Sequence, residues 1–163
     1  MEWREVVEHP SLQDLPFKIE TNQWGEIVMT PATATHGLYQ ALINEYFAGM
    51  KDKGGRSIIE CPIETSEGTK VADFAWGSGA FFKRHGFRVT SFTESPEIVV
   101  EVKSPSNSLN RMEGKKQLYF AAGAKEVWFC DEEGDMHFFS PGGKLKRSEL
   151  FTEFPERINI DIV

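Results

Sequence analysis

Asp73, Glu101, Lys103 and Lys116 are the residues of this sequence whose types and spacing suit chemistry. Glu101 and Lys103 lie in the run Glu97-Ile98-Val99-Val100-Glu101-Val102-Lys103. Strand side chains alternate, so Ile98, Val100 and Val102 form an apolar face that must be core, and Glu101 shares the other face with Lys103. With valine on both sides, Glu101 is expected to be at least partly buried, and a buried carboxylate has to be paired or to hold a metal. Asp73 is the only charge in Val71-Ala72-Asp73-Phe74-Ala75-Trp76, a place disfavoured by strand propensity and by burial. Lys116 falls within the helical stripe Leu109, Met112, Lys116, Tyr119, Gly123, whereas Lys115 points elsewhere and reads as an ordinary surface lysine.

Two such carboxylates suit Mg²⁺ or Mn²⁺, which take oxygen ligands and keep several waters. A lysine beside the ion orients its water, helps lower that water's pKa or neutralises a phosphate oxygen, which are the needs of phosphodiester hydrolysis. Each residue also has a plainer reading. Glu101 and Lys103 can be an ion pair on a solvated face, Asp73 a turn or cap residue at a strand end, and Lys116 a snorkelling side chain with a packed stem.

The elements that must position these residues follow from pattern and punctuation. Phe17 to Thr30 reads as a hairpin turning at Asn22 to Gly25, stopped by Pro31. A helix follows, capped by Thr33 or Thr35, with Leu38, Leu42, Ile43, Tyr46, Phe47 and Met50 on one face and Lys51, Lys53 and Gly54-Gly55 at its end. Strands are expected over Arg56–Thr65 and Thr69–Trp76, then a short helical turn around Phe81 to Arg84, then the Glu97–Lys103 strand, ended by Ser104-Pro105. A second helix spans Leu109 to Ala122, capped by Asn107 or Ser108 and closed by Gly123. Glu126–Cys130 and Asp135–Ser140 pair as strands, and a last strand is expected over Arg157–Ile162. One mixed sheet flanked by two helices satisfies this order, an α/β (α+β) architecture.

The chain has 163 residues, 18 Lys+Arg against 25 Asp+Glu, and a net charge of −7. That length suits a single domain over residues 17–163, preceded by a polar N-terminal arm over residues 1–16. The acidic balance argues against a protein that simply coats nucleic acid, because such affinity comes from Lys and Arg displacing counterions. No apolar run approaches the roughly 20 residues of a membrane helix. A charged N-terminus without an apolar signal region points to the cytoplasm. Cys61 and Cys130 read as two buried, reduced thiols.

In the order of these elements and residues the chain resembles the PD-(D/E)XK nuclease superfamily, and more specifically the Uma-two family of restriction-endonuclease-like proteins. The stretches that carry the resemblance are Gly25 to Pro31 followed by His36, then Ile98 to Ser106, Lys116-Gln117-Leu118-Tyr119 and Gly123 to Trp128. The resemblance implies a restriction-endonuclease-like αβββαβ core, here with an N-terminal β-hairpin and extra C-terminal strands. It implies Asp73 and Glu101 as ligands of a divalent cation, Lys103 as catalytic lysine and Lys116 as the family's lysine on the second helix. Ala72-Asp73 stands where the family has Pro-Asp. A first-helix acid often completes the metal site in the superfamily; Glu45 is the candidate, with Glu60 and Glu64 competing for the role. His36 either faces the site or caps its helix locally, and Gln117 is a candidate phosphate or base contact.

The expected activity is Mg²⁺-dependent hydrolysis of DNA by a metal-activated water. DNA contact would come from Lys83-Arg84-His85 with Arg88, from Arg111 with Lys115, or from Lys144, Lys146 and Arg147. Homodimerisation would suit cleavage of both strands. The competing classes are a nuclease-fold binding or assembly module targeted by a protein partner, and a metal-dependent hydrolase of another phosphodiester, such as RNA or a nucleotide.

Overall fold

A computed structural model describes residues 1–50 and 53–163. The helices are α1 (Trp3–Glu8), α2 (Ala34–Gly49), α3 (Gly79–His85) and α4 (Leu109–Ala121). The strands are β1 (Phe17–Thr21), β2 (Ile27–Pro31), β3 (Arg56–Thr65), β4 (Gly68–Gly77), β5 (Ile98–Val102), β6 (Glu126–Cys130), β7 (Met136–Ser140) and β8 (Gly143–Leu145). The expected αβββαβ order is present as α2, β3, β4, β5, α4 and β6.

β3 to β8 form one six-stranded sheet in sequence order. Every neighbouring pair is antiparallel except β5 and β6, which α4 joins as a parallel crossover. The alternation of β5 sorts the two cores. Ile98, Val100 and Val102 pack with Tyr39, Ile43 and Phe47 of α2, while Val99 packs with Met112 and Tyr119 of α4. All five β5 residues are buried, because helices cover both faces of the sheet. That burial is what leaves Glu101 at 2% exposure. Cys61 and Cys130 are both free and buried.

The β1–β2 hairpin turns where Asn22 Oδ1 accepts from the Trp24 and Glu26 N–H groups. It docks on β4 rather than joining the large sheet: Thr69 N donates to Thr21 Oγ1 and Val71 N to Glu20 Oε2. A Cβ at Gly68 would come within 2.5 Å of the Thr21 and Asn22 carbonyl oxygens, so glycine at the β3–β4 turn permits this close approach.

The two main helices begin at Thr33, which accepts from His36 N, and at Ser108, which accepts from Arg111 N. Lys51, expected in the close of α2, lies outside the described residues. Three elements differ from expectation. The polar first sixteen residues contain α1, whose Glu2 and Glu5 form a reciprocal capping box and whose Val6 is buried. The segment over 157–162 forms no strand; it makes one bridge, Asp135 to Arg157. Ile158 of this segment, with Phe151 and Phe154 just before it, is buried on the α2 core. The short strand β8 follows the Pro141-Gly142 turn, where no strand is expected. Among the described residues, no helix is long and apolar enough to cross a membrane.

Candidate functional site

At Asp73 β4 parts from β5, and its ladder with β3 is interrupted for one residue pair. Its ladder with β5 runs from Trp76–Ile98 to Phe74–Val100 and stops. The same register carried one step further sets Asp73 opposite Glu101. On the other side, Phe74 pairs Ile59 and Ala72 pairs Cys61, but Asp73 and Glu60 between them do not pair. Glu60 takes a left-handed conformation, with φ of 55°. The Gln40 side chain fills this break, donating from Nε2 to the Asp73 main-chain oxygen at 2.8 Å and to Glu60 Oε1 at 2.7 Å. Strands that separate leave backbone groups to satisfy, and polar side chains do so here.

The Asp73 carboxylate, 1% exposed, is held from three directions. Oδ2 accepts from the Val102 backbone N–H at 2.7 Å and lies 3.1 Å from His36 Nε2; Oδ1 accepts from Lys18 Nζ at 2.8 Å. Burial alone would raise this carboxyl, but the Lys18 ammonium and the His36 contact outweigh it and hold Asp73 well below the usual carboxylate range. Burial would likewise lower the His36 imidazolium, and the Asp73 hydrogen bond reverses that to a net rise.

Glu101 Oε1 accepts from the Tyr119 hydroxyl at 2.5 Å and lies 3.3 Å from Lys115 Nζ. Its Oε2 is 3.9 Å from Lys18 Nζ. Burial pushes the Glu101 carboxyl up to about 7; Lys115 and Lys18 oppose the rise, and the Asp73 charge adds to it. Glu20 completes the cluster. Its Oε2 accepts from Lys115 Nζ and from Val71 N, both at 2.7 Å, and Lys115 overcomes the burial penalty to hold its pKa below the ordinary value. These groups line a cleft of about 110 Å³ whose rim includes Ser104, Asn107 and Arg111.

The expected residues fall into two sets. Asp73, Glu101 and His36 meet in the cleft, and His36 both closes the Thr33 cap through its backbone and faces Asp73 through its ring. Glu60 also lines the cleft, where it accepts from Gln40, and the others are placed elsewhere. Lys103 follows the last residue of β5, so strand alternation no longer sets its direction. Its ammonium donates to the Ser104 and Asn107 carbonyls, both at 2.8 Å, and pins the loop that contributes Ser104 and Asn107 to the rim. Lys116 turns to Glu113 at 2.8 Å and stands 4.1 Å from the Phe139 ring centroid, the packed arrangement of a lysine with a buried stem. Glu45 is exposed, nine positions along α2 from His36, which is half a turn around the helix. Gln117 is exposed and does not line the cleft, and Glu64 accepts from Ser91 instead. Of the basic clusters, only Arg111 and Lys115 line it; Arg84 and His85 pair with Glu94.

Lys115 is therefore the helix lysine in the site, a correction to its reading as a surface residue. The spacing that places it is Arg111, Lys115 and Tyr119 at intervals of four, which shares Tyr119 with the apolar stripe. Lys18 and Glu20 carry a weaker signal, as two charges on one face of the strand Phe17–Thr21. Nothing local marks Gln40, whose role depends on the break in the β3–β4 ladder.

Comparison with known proteins agrees with this architecture. A solved structure described as a putative nuclease belonging to DUF820, from Anabaena variabilis ATCC 29413, superposes with a TM-score of 0.72 at 14% identity, covering 99% of this chain and 96% of that one. At that identity the likeness shows the fold. No curated protein matches the chain. The family described as "Uma2: Putative restriction endonuclease" matches residues 7–162, nearly the whole length, and the chain belongs to this Uma2 (Uma-two) family.

Proposed function

We propose that the cleft hydrolyses phosphodiester bonds of DNA, using one divalent cation, Mg²⁺ or Mn²⁺, received by Asp73 and Glu101. The observation that carries this reading is that two buried carboxylates, Asp73 and Glu101, line one cleft and share the Lys18 ammonium. Membership of the restriction-endonuclease family and the nuclease-like fold support it.

The residues present fit a hard cation. A positive group already stands between the two carboxylates, since Lys18 Nζ lies 2.8 Å from one and 3.9 Å from the other. Among the described residues, no three His, Cys, Asp or Glu side chains gather as a metal site. Two carboxylates completed by waters and substrate phosphate are the set Mg²⁺ uses, whereas zinc would need more nitrogen or sulfur donors. Once bound, the ion would supply charge neutralisation and a lowered water pKa.

The chain's own groups do the rest. Val102 N fixes the Asp73 carboxylate, and Tyr119 fixes that of Glu101. Lys115, anchored by Glu20, takes the part expected of Lys103 and Lys116 by holding positive charge beside Glu101 for a phosphate oxygen. His36 and Arg111 stand at the cleft as contacts for the phosphate backbone. With a net charge of −7, affinity for DNA rests on such local cations, so binding is strongly salt-dependent and benefits from a second copy or a targeting partner.

The test is cleavage of supercoiled plasmid with Mg²⁺ or Mn²⁺, with RNA and dinucleotide substrates alongside. Loss of cleavage in Asp73→Ala and in Lys115→Met is expected; cleavage surviving both places the chemistry elsewhere. The balance of buried charge without a metal favours a second reading, a nuclease-fold binding module. Calorimetry showing no Mn²⁺ binding at millimolar concentration would select it.

A further inference from the structure

Lys18 belongs to none of the core elements α2, β3, β4, β5, α4 and β6, yet its ammonium stands between the two buried carboxylates of the cleft, Asp73 and Glu101. It reaches in from β1, is 15% exposed along its side chain, and has Asp73 and Glu101 as its two ion partners among the described residues. Lys115, the other ammonium, is held differently: Glu20 anchors it at 2.7 Å, and it contacts only the Glu101 oxygen that Tyr119 also uses. The Glu101 oxygen that accepts no hydrogen bond among the described residues, Oε2, is the one facing Lys18.

We infer that Lys18 is an exchangeable occupant of the cation position, holding Asp73 and Glu101 together in the metal-free protein and leaving when a divalent ion enters between them. The inference rests on the reading above, that this carboxylate pair receives such an ion. Two arguments carry it. Asp73 and Glu101 would hold a divalent ion where the Lys18 ammonium now stands, 2.8 Å from Asp73 Oδ1, and like charges so placed would repel strongly. Lysine is also suited to leaving, because its point charge rides on a flexible four-carbon stem and makes no bidentate contact. A destination is at hand: the Glu60 carboxylate lines the same two clefts that Lys18 lines. Without Lys18, two carboxylates would share a buried site with less compensation, so the lysine keeps the empty site folded and sets a threshold of ion concentration for loading it.

The experiment is Mn²⁺ calorimetry with thermal unfolding on the full chain and on Lys18→Met, which keeps the stem and removes the charge. Lys18→Met is expected to unfold several degrees lower without metal, to bind Mn²⁺ about tenfold more tightly, and to gain more Tm from Mn²⁺ than the native chain. Equal or weaker binding in Lys18→Met, with the native chain still binding, overturns the inference and leaves the ion site standing. Binding by neither protein overturns both. Binding by Lys18→Met alone supports the exchange in its strongest form. Should Lys18→Met not fold, the native chain labelled with ¹³C-lysine decides: the ε-methylene signal of Lys18, assigned with Lys18→Arg, moves toward that of a solvated lysine as Mg²⁺ is added. A signal that stays in place at saturating Mg²⁺ overturns the inference.

Discussion

Tyr119 donates its hydroxyl hydrogen to Glu101 Oε1 at 2.5 Å, from one turn beyond Lys115, which approaches the same oxygen. Spacing of four on α4 therefore delivers an orienting donor and a cation to one carboxylate, and leaves the other Glu101 oxygen facing the cleft.

Tyr119→Phe removes the donor and keeps the ring in its packing. Hydrogen bonds to charged groups contribute about 2 kcal/mol, so a stability loss of that order is expected in urea unfolding. Groups that orient a metal ligand typically matter about 10–100-fold in affinity, and Mn²⁺ binding should weaken by at least the lower figure. A variant with native Mn²⁺ affinity would show that Tyr119 is packing alone.

Asp73→Ala leaves the Lys18 ammonium and the Val102 N–H without their acceptor. Breaking a buried pair by removing one partner costs about 3–5 kcal/mol, and a large fall in Tm is expected alongside loss of cleavage. Asp73→Asn, which can still accept from Val102 N, should recover part of the stability but none of the cleavage. Recovery of both would mean that the carboxylate charge is not needed.

The sheet and its two main helices were legible because period-2 and period-3.6 patterns, caps and breakers agreed for Phe17–Thr30, Ala34–Gly49, Ile98–Val102 and Leu109–Ala121. The burial of Asp73 and Glu101 was legible for another reason: a carboxylate between apolar strand neighbours conflicts with its surroundings and has to be paired, as both are by Lys18. The lysines were not. Lys103 lies one residue past β5, where alternation lapses, and the choice between Lys115 and Lys116 turns on about 100° of helix rotation, finer than a pattern with no fixed neighbour resolves. Glu20, Gln40 and Lys18 act through the hairpin's docking on β4 and the broken ladder at Asp73, both set by tertiary contacts.

The three lysines separate by substitution. Lys115→Met should reduce cleavage about 10²-fold or more, as removal of a positioned charge-stabilising donor does. Lys116→Met removes an ammonium that pairs with exposed Glu113 and sits over the Phe139 ring outside the cleft, so it should leave cleavage near native and lower stability by about 1 kcal/mol. Lys103→Met loosens the Ser104–Asn107 rim, so KM is expected to rise with kcat little changed. A greater loss of kcat in Lys103→Met than in Lys115→Met would return the catalytic part to the Glu-x-Lys lysine.

Stability and metal affinity should run in opposite directions with pH. Burial, with Asp73 adding and Lys115 and Lys18 opposing, raises Glu101 from the ordinary 4.5 to about 7. Between those values the folded chain binds more protons than the unfolded one, so Glu101 stabilises fully below pH 4.5 and that contribution drains away as pH rises to about 7. Asp73, lowered from 3.8, acts oppositely: its contribution is present above that value and lost as pH falls below it. His36, raised from 6.5, adds a second loss as pH climbs past that value. The interval from 4.5 to 6.5 thus belongs mainly to Glu101. There the metal-free Tm should decline with rising pH, and Glu101→Gln should flatten the decline. Mn²⁺ needs the ionised carboxylate, so its affinity should climb as pH rises toward 7 in the native chain. Calorimetry at the two ends of the interval giving equal Mn²⁺ affinity would remove Glu101 from the ligand set.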